Sequence, residues 1–89
     1  MEQQLDNFIH YLEEVRKSSR NTILSYKRDL EKFTAFLDAQ AVADLADVNE
    51  TTMNAYILMM EREQFATSTI SRNIAALKSF FDYLERYEN

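Results

Sequence analysis

The chain has 89 residues and a formal net charge of −5, and it contains no Gly, no Pro and no Cys. The missing Gly and Pro exclude phosphate-binding Gly loops and tight hairpin turns, and the missing Cys excludes disulfides and thiolate metal sites. With 46% hydrophobic residues, the composition favours one small all-α domain that has its own core.

Apolar residues recur at helical spacing in four segments, so we predict helices at about 2–16, 19–38, 49–64 and 67–87. The predicted core face of the first helix consists of Leu5, Phe8, Ile9, Leu12 and Val15. His10 lies opposite this face, which indicates a solvated surface residue.

Ser18 or Ser19 offers a side-chain cap for the second helix, and Asn49 offers one for the third. Val48 and Met53 are spaced as a hydrophobic staple across the Asn49 cap. The predicted buried residues of the second helix are Ile23, Tyr26, Leu30, Phe33 and Leu37. Those of the next loop and the third helix are Leu45, Val48, Met53, Tyr56, Ile57 and Met60.

The fourth helix is predicted to begin near Thr67 or Ser68 and to repeat the pattern of the second helix. The apolar positions of the second helix recur 47 residues later in the fourth. The predicted core face of the fourth helix consists of Ile70, Ile74, Leu77, Phe81 and Leu84, with Phe80 beside it.

Basic residues are concentrated where these two similar helices begin, although the chain as a whole is acidic. Residues 16–28 include five basic residues and no acid, and residues 66–81 include Arg72 and Lys78 and no acid. A helix N-terminus binds phosphate through unpaired N–H groups and a partial positive charge. Hydroxyl and amide side chains add neutral donors there, namely those of Ser19, Asn21, Thr22, Thr67, Ser68 and Thr69.

Arg72 is the candidate for reading bases, because it lies one turn inside the fourth helix on its outer face. From there its side chain could donate two bonds to guanine or one to a phosphate. Leu24 and Ser25 occupy the corresponding outer positions of the second helix. The residues alone leave two functions open: nucleic-acid binding, and helix-mediated protein interaction through the exposed Leu24 and the acidic faces.

Enzyme chemistry is not expected from these residues. One surface His and no Cys cannot form a nucleophile–base pair or a His-rich metal site, and the adjacent acids Glu13 and Glu14 fit a solvated helix surface. We therefore expect no catalytic residue, cofactor, metal or small-molecule substrate. No apolar run is long enough to cross a membrane and no signal peptide is recognisable, so we expect a cytoplasmic protein.

Two segments carry a resemblance to a known family. Residues 19–30 read SRNTILSYKRDL and are followed by Phe33 and Phe36–Leu37, and residues 68–84 read STISRNIAALKSFFDYL. In this order and spacing they resemble the N-terminal core-binding domain of tyrosine recombinases, the phage-integrase and Xer-like family. The resemblance covers essentially the whole chain.

The resemblance implies a four-helix, SAM-like bundle that forms one jaw of a clamp around duplex DNA, with the second and fourth helices facing the major groove. It also implies a separate C-terminal domain that cuts the strand with a tyrosine nucleophile. We therefore expect residues 1–89 to be a single non-catalytic domain of a longer recombinase. The expected partners are double-stranded DNA, the catalytic domain of the same chain and other recombinase protomers.

The helix-start argument and the resemblance together predict the DNA-contacting residues: Ser19, Arg20, Asn21, Thr22, Leu24, Ser25, Lys27, Arg28, Thr67, Ser68, Thr69, Ser71, Arg72 and Lys78. The chain departs from the family pattern in two respects. The turn before the fourth helix usually contains a Gly, whereas this chain has Gln64–Phe65–Ala66. The acidic net charge implies weak DNA affinity for the 89 residues alone.

Overall fold

A computed structural model describes residues 2–88, and within them the chain forms four α-helices and no strand, which confirms the predicted all-α fold. The helices are α1 (Glu2–Glu14), α2 (Arg20–Ala39), α3 (Glu50–Arg62) and α4 (Thr67–Tyr83). A 3-10 turn, Leu45–Asp47, lies between α2 and α3, and a π-helical turn, Leu84–Glu88, continues α4. Both α1 and α3 end two residues before their predicted ends.

Side-chain caps begin two of the helices as predicted. The Ser19 side chain accepts a hydrogen bond from the backbone N–H of Thr22 at 3.2 Å, and Asn49 accepts one from the N–H of Thr52 at 3.0 Å. The Thr52 hydroxyl accepts the Asn49 N–H in return, which completes a capping box.

The fourth helix begins at Thr67, as predicted, but without a side-chain cap. Its N-cap is Ala66 (φ −60°, ψ 146°), whose methyl side chain cannot accept a hydrogen bond, so the helix has no side-chain cap bond. The hydroxyl side chains of Thr67 and Ser68 do not cap this helix. Because Ala66 takes the cap position, both hydroxyl side chains lie in the first turn, where they are exposed.

Three helices are followed, two or three residues after their last residue, by a residue with left-handed backbone, although the chain has no Gly. These residues are Lys17 (φ 52°), Ala41 (φ 59°) and Gln64 (φ 62°). In each case the next N–H bonds back across the helix end, from Ser18 to Leu12, from Val42 to Leu37 and from Phe65 to Met60. The turn between α3 and α4 therefore contains no Gly, and Gln64 takes the left-handed backbone conformation there.

The core has two aromatic centres. Phe8 of α1 lies against α4 and α2, with ring centroids 5.4 Å from Phe80, 5.3 Å from Tyr83 and 5.8 Å from Tyr26. Tyr56 joins α3 to α2, and its ring centroid is 5.1 Å from that of Phe33. The first centre holds α1, α2 and α4 together, and the second attaches α3.

One prediction about the core is wrong, and a second is only partly correct. Val15 is 64% exposed, because α1 ends at Glu14 and Val15 lies in the following turn. The buried face of α4 is also rotated, because Phe80 and Tyr83 pack on Phe8. The buried apolar residues of α4 are Ala76, Leu77, Phe80 and Tyr83, whereas Ile70, Ile74 and Phe81 are half-buried.

Within residues 2–88, no helix combines the length and the apolar character that a membrane span requires.

Ala41 provides a test of the left-handed backbone conformation after α2. Its Cβ is disfavoured at a φ of 59°, so we expect Ala41→Gly to raise the free energy of unfolding by about 0.5–1 kcal/mol. The matched control is Ala35→Gly on the exposed side of α2, where the same change should lower stability by about 1 kcal/mol. Urea unfolding of both variants measures the difference, and destabilisation by Ala41→Gly would contradict the left-handed assignment.

Candidate nucleic-acid interface

An open groove lies between the first half of α2 and the first half of α4. We call it the α2–α4 groove. It is lined by Asn21, Thr22, Ser25, Tyr26 and Asp29 from α2, and by Arg72, Ala75 and Ala76 from α4. Ala75 and Ala76 have small side chains, so a ligand can approach the α4 backbone closely on this side.

The start of α2 supplies hydrogen-bond donors at one end of this groove. Ser19 is occupied locally, because it accepts the Thr22 N–H and its hydroxyl donates to the Thr22 hydroxyl at 2.9 Å. By helix geometry, the N–H groups of Arg20 and Asn21 have no partner within the helix. No acidic residue lies in this first turn, so its partial positive charge is not neutralised locally.

Arg72 and Asp29 form the central contact of the groove. Arg72 donates from Nε to Asp29 Oδ2 and from Nη2 to Asp29 Oδ1, both at 2.9 Å. The Asp29 side chain is 2% exposed and the Arg72 side chain is 48% exposed. Asp29 therefore closes the floor of the groove, while Arg72 reaches from that floor to solvent.

The paired guanidinium keeps donors free. It has five N–H groups and these two bonds use two, which leaves three on the Nη1 and Nη2 edge. The hydrogen bond to Asp29 and its negative charge raise the pKa of Arg72 above its ordinary value, so the group stays charged. Arg72 thus presents a fixed cationic edge that can still donate two parallel bonds.

The groove itself carries no net charge, because its one cation and its one anion among the lining residues neutralise each other. Its remaining polar side chains are neutral donors and acceptors from Asn21, Thr22 and Ser25. An anionic ligand would therefore find directed hydrogen bonds in the groove and net positive charge only at its edges.

The predicted contact residues fall into three groups. Four of them line the groove: Asn21, Thr22, Ser25 and Arg72. Nine others lie on α2, at its cap or at the start of α4, outside the groove lining: Ser19, Arg20, Leu24, Lys27, Arg28, Thr67, Ser68, Thr69 and Ser71. Lys78 is set apart, because it lines a separate depression with Val48, Asn49 and Met53 at the start of α3.

Sequence reasoning missed Asp29 and Tyr26 as groove residues. Tyr26 is predicted for the core and its ring does pack on Phe8, but it also lines the groove, and its hydroxyl lies 3.3 Å from that of Ser79 on α4. The one signal for Asp29 was its position, seven residues after Thr22 and therefore on the same helix face.

A buried polar network lies next to this ion pair. Asn73 donates from Nδ2 to the Thr69 carbonyl at 2.8 Å, and the Tyr56 hydroxyl donates to Asn73 Oδ1 at 3.5 Å. Burial, and then the charges of Asp29 and Glu63, raise the pKa of Tyr56 to about 12. Among residues 2–88, no group of three or more His, Asp or Glu side chains is arranged to hold a metal ion.

Comparison with known families bears directly on this arrangement. The family described as phage integrase, N-terminal SAM-like domain, matches residues 5–88 of the chain. The chain belongs to this family. The expected resemblance to the N-terminal domain of tyrosine recombinases is therefore confirmed.

Curated relatives of this integrase domain are tyrosine recombinases. The chain is similar to tyrosine recombinase XerC of Herpetosiphon aurantiacus, with 39% identity over 96% of the chain and 28% of the relative. It is also similar to XerC of Roseiflexus castenholzii, with 36% identity over 94% of the chain and 27% of the relative. Tyrosine recombinase XerD of Oceanobacillus iheyensis is 32% identical over 97% of the chain and 29% of the relative.

The chain spans less than a third of the length of these relatives. No solved structure matches it significantly.

The ion pair under the groove of this integrase domain gives a stability prediction. Arg72→Gln leaves a buried carboxylate without its cation, so we expect a loss of about 2–3 kcal/mol in the free energy of unfolding. Asp29→Asn combined with Arg72→Gln should recover at least half of that loss, because no buried charge remains. Urea unfolding of the single and double variants measures this coupling, and purely additive effects would contradict a buried ion pair.

Tyr56 gives a prediction at alkaline pH. Its folded pKa of about 12 lies above the unfolded value of 10.0. Between these two values the folded state binds more protons than the unfolded state, so the free energy of unfolding falls as pH rises through them. The loss should reach about 1 kcal/mol near pH 11 and be absent below about pH 9. Tyr56→Phe should remove this share of the alkaline dependence, and an unchanged difference between pH 9 and pH 11 would contradict it.

Proposed function

We propose that this chain is the non-catalytic DNA-binding module of a tyrosine recombinase, and that it holds duplex DNA against the α2–α4 groove. The observation that carries the proposal is the convergence of donors from two helices on one groove. Asn21, Thr22 and Ser25 approach from α2, and the exposed edge of Arg72 approaches from α4. The family membership supports the same function.

The chemistry of the groove fits a duplex. The N–H groups at the start of α2 suit a backbone phosphate, whose contacts set position without reading sequence. The free edge of Arg72 suits the O6 and N7 acceptors of a guanine in the major groove. Leu24 is 46% exposed beside this surface, and an apolar side chain there suits a thymine methyl group.

Net attraction comes from the cations around the groove in this proposal. Arg28 and Lys27 are exposed on α2, and Arg20 is exposed at its start. None of the three makes an ion pair within the described residues 2–88. Each can therefore neutralise a phosphate and release counterions on binding. Strand cleavage belongs to a C-terminal catalytic domain of the full recombinase, and other protomers on the same DNA complete the assembly.

Salt dependence tests the proposal. With about four to six phosphate contacts, the affinity of the 89-residue chain for a random-sequence duplex should fall roughly as the fourth to fifth power of salt. Arg28→Gln should reduce this slope by about 0.9, because it removes one phosphate contact. Fluorescence anisotropy over a salt series gives both values.

The matched control is Arg62→Gln on α3, which removes one exposed arginine far from the groove and should leave the slope unchanged. Arg72→Lys tests base reading separately, because it keeps a cation next to Asp29 but loses the planar fork. We expect this variant to show a weaker DNA sequence preference than the parent chain when both are tested by selection from a pool of random duplexes. Two results together would contradict the proposal. They are the absence of DNA binding at low salt, and a protein–protein complex that persists at high salt and requires Leu24.

A further inference from the structure

The α4 side of the groove has few cations available for a phosphate. Arg72, Lys78 and Arg86 are the basic residues of α4 and its π-helical continuation within residues 67–88. Arg72 is neutralised by Asp29, and Lys78 lines the depression at the start of α3. Arg86 is therefore the cation on this side that remains for net attraction.

Arg86 lines a second recess, which we call the Arg16–Arg86 recess. Its lining residues are Tyr11, Arg16, Ser79, Asp82, Tyr83, Arg86 and Tyr87. Ser79 borders this recess, and its hydroxyl contacts Tyr26, which lines the α2–α4 groove. The two concave sites are therefore neighbours, separated by the Tyr26–Ser79 contact.

The residue composition of the recess is typical of an anion-binding site. Arg16 comes from the turn after α1 and Arg86 from the continuation of α4, and both side chains are exposed. Neither arginine makes an ion pair within residues 2–88, and Asp82 is the one acid among the lining residues. The recess therefore carries a net positive charge, whereas the α2–α4 groove does not.

Three tyrosine rings support this recess. The ring centroids of Tyr11, Tyr83 and Tyr87 are 5.1–5.3 Å apart, so the rings form one packed cluster. Tyr83 is buried and joins the cluster to Phe8 of the core. The two arginines thus sit at the rim of a supported surface.

The spacing along α4 suits one continuous duplex. Arg86 follows Arg72 by fourteen residues, which at a helical rise of about 1.5 Å corresponds to about 20 Å. That distance is the axial length of about six base pairs. For a duplex whose axis runs parallel to α4, the two sites would lie about six base pairs apart along the DNA.

We propose that Arg16 and Arg86 form a second contact for the same DNA, in which they bind backbone phosphates about six base pairs from the Arg72 position. This inference rests on the proposed DNA binding of the α2–α4 groove. Its contacts are with phosphates, so they add affinity on any duplex sequence and carry no base preference.

The test measures the salt slope of binding to a random-sequence duplex for Arg16→Gln, Arg86→Gln and the double variant of the 89-residue chain. Each single change should lower the slope by about 0.9 and the double change by about 1.8. Arg62→Gln is the matched control, since it also removes one exposed arginine, and Arg28→Gln is the reference for a lost phosphate contact. Circular dichroism and thermal unfolding establish that every variant keeps the fold.

The outcomes separate the two proposals. Lower slopes for Arg16→Gln and Arg86→Gln, with the Arg62→Gln slope unchanged, support the second contact. Slopes equal to that of Arg62→Gln, while Arg28→Gln still lowers the slope, overturn the second contact and leave the groove proposal standing. No duplex binding by the parent chain at low salt overturns both.

Discussion

The ion pair between Asp29 and Arg72 is the constraint on which the candidate interface depends. A carboxylate that is 2% exposed requires a charged partner, and its partner lies on a helix 43 residues further along the chain. Two bonds of 2.9 Å fix the plane of the guanidinium and the placement of α4 over α2. This contact therefore sets the direction of the arginine, while the aromatic centre around Phe8 also holds the two walls of the groove together.

In the proposed DNA complex, the same pair also determines where an acidic chain can attract a polyanion. Because the groove centre is neutral, directed hydrogen bonds from Asn21, Thr22 and Ser25 operate there without strong attraction. In that proposal, attraction comes from exposed cations outside the groove lining, such as Arg28 on α2 and Arg86 in the continuation of α4. Charges beyond about 8 Å are largely screened at physiological salt, so acids elsewhere on the surface weaken this little.

Local signals made most of the fold predictable. The apolar period located four helices, and the caps at Ser19 and Asn49 were correct because capping depends on residues three positions apart. Properties that depend on a second helix were missed. The burial of Asp29 is decided by Arg72, and the rotation of the α4 face is decided by Phe8. Lys78 shares a helix with Arg72 but follows it by six residues, so helix geometry alone places it about 120° around the axis, on the side of the depression at the start of α3. The groove residues on α2 were predictable because they follow one helix face.

The choice of an ion pair at this position is itself informative. A buried pair of charges contributes little net stability, and well-packed apolar residues of similar volume often stabilise a fold as much or more. An apolar pair would join α2 to α4 equally well, but it would offer no donor to the groove. Arg72 is already held before any ligand arrives, so binding does not incur the roughly 0.5–1.5 kcal/mol that ordering a flexible side chain costs. The pair therefore fits a surface that needs a rigid, exposed donor more than it fits a requirement of folding alone.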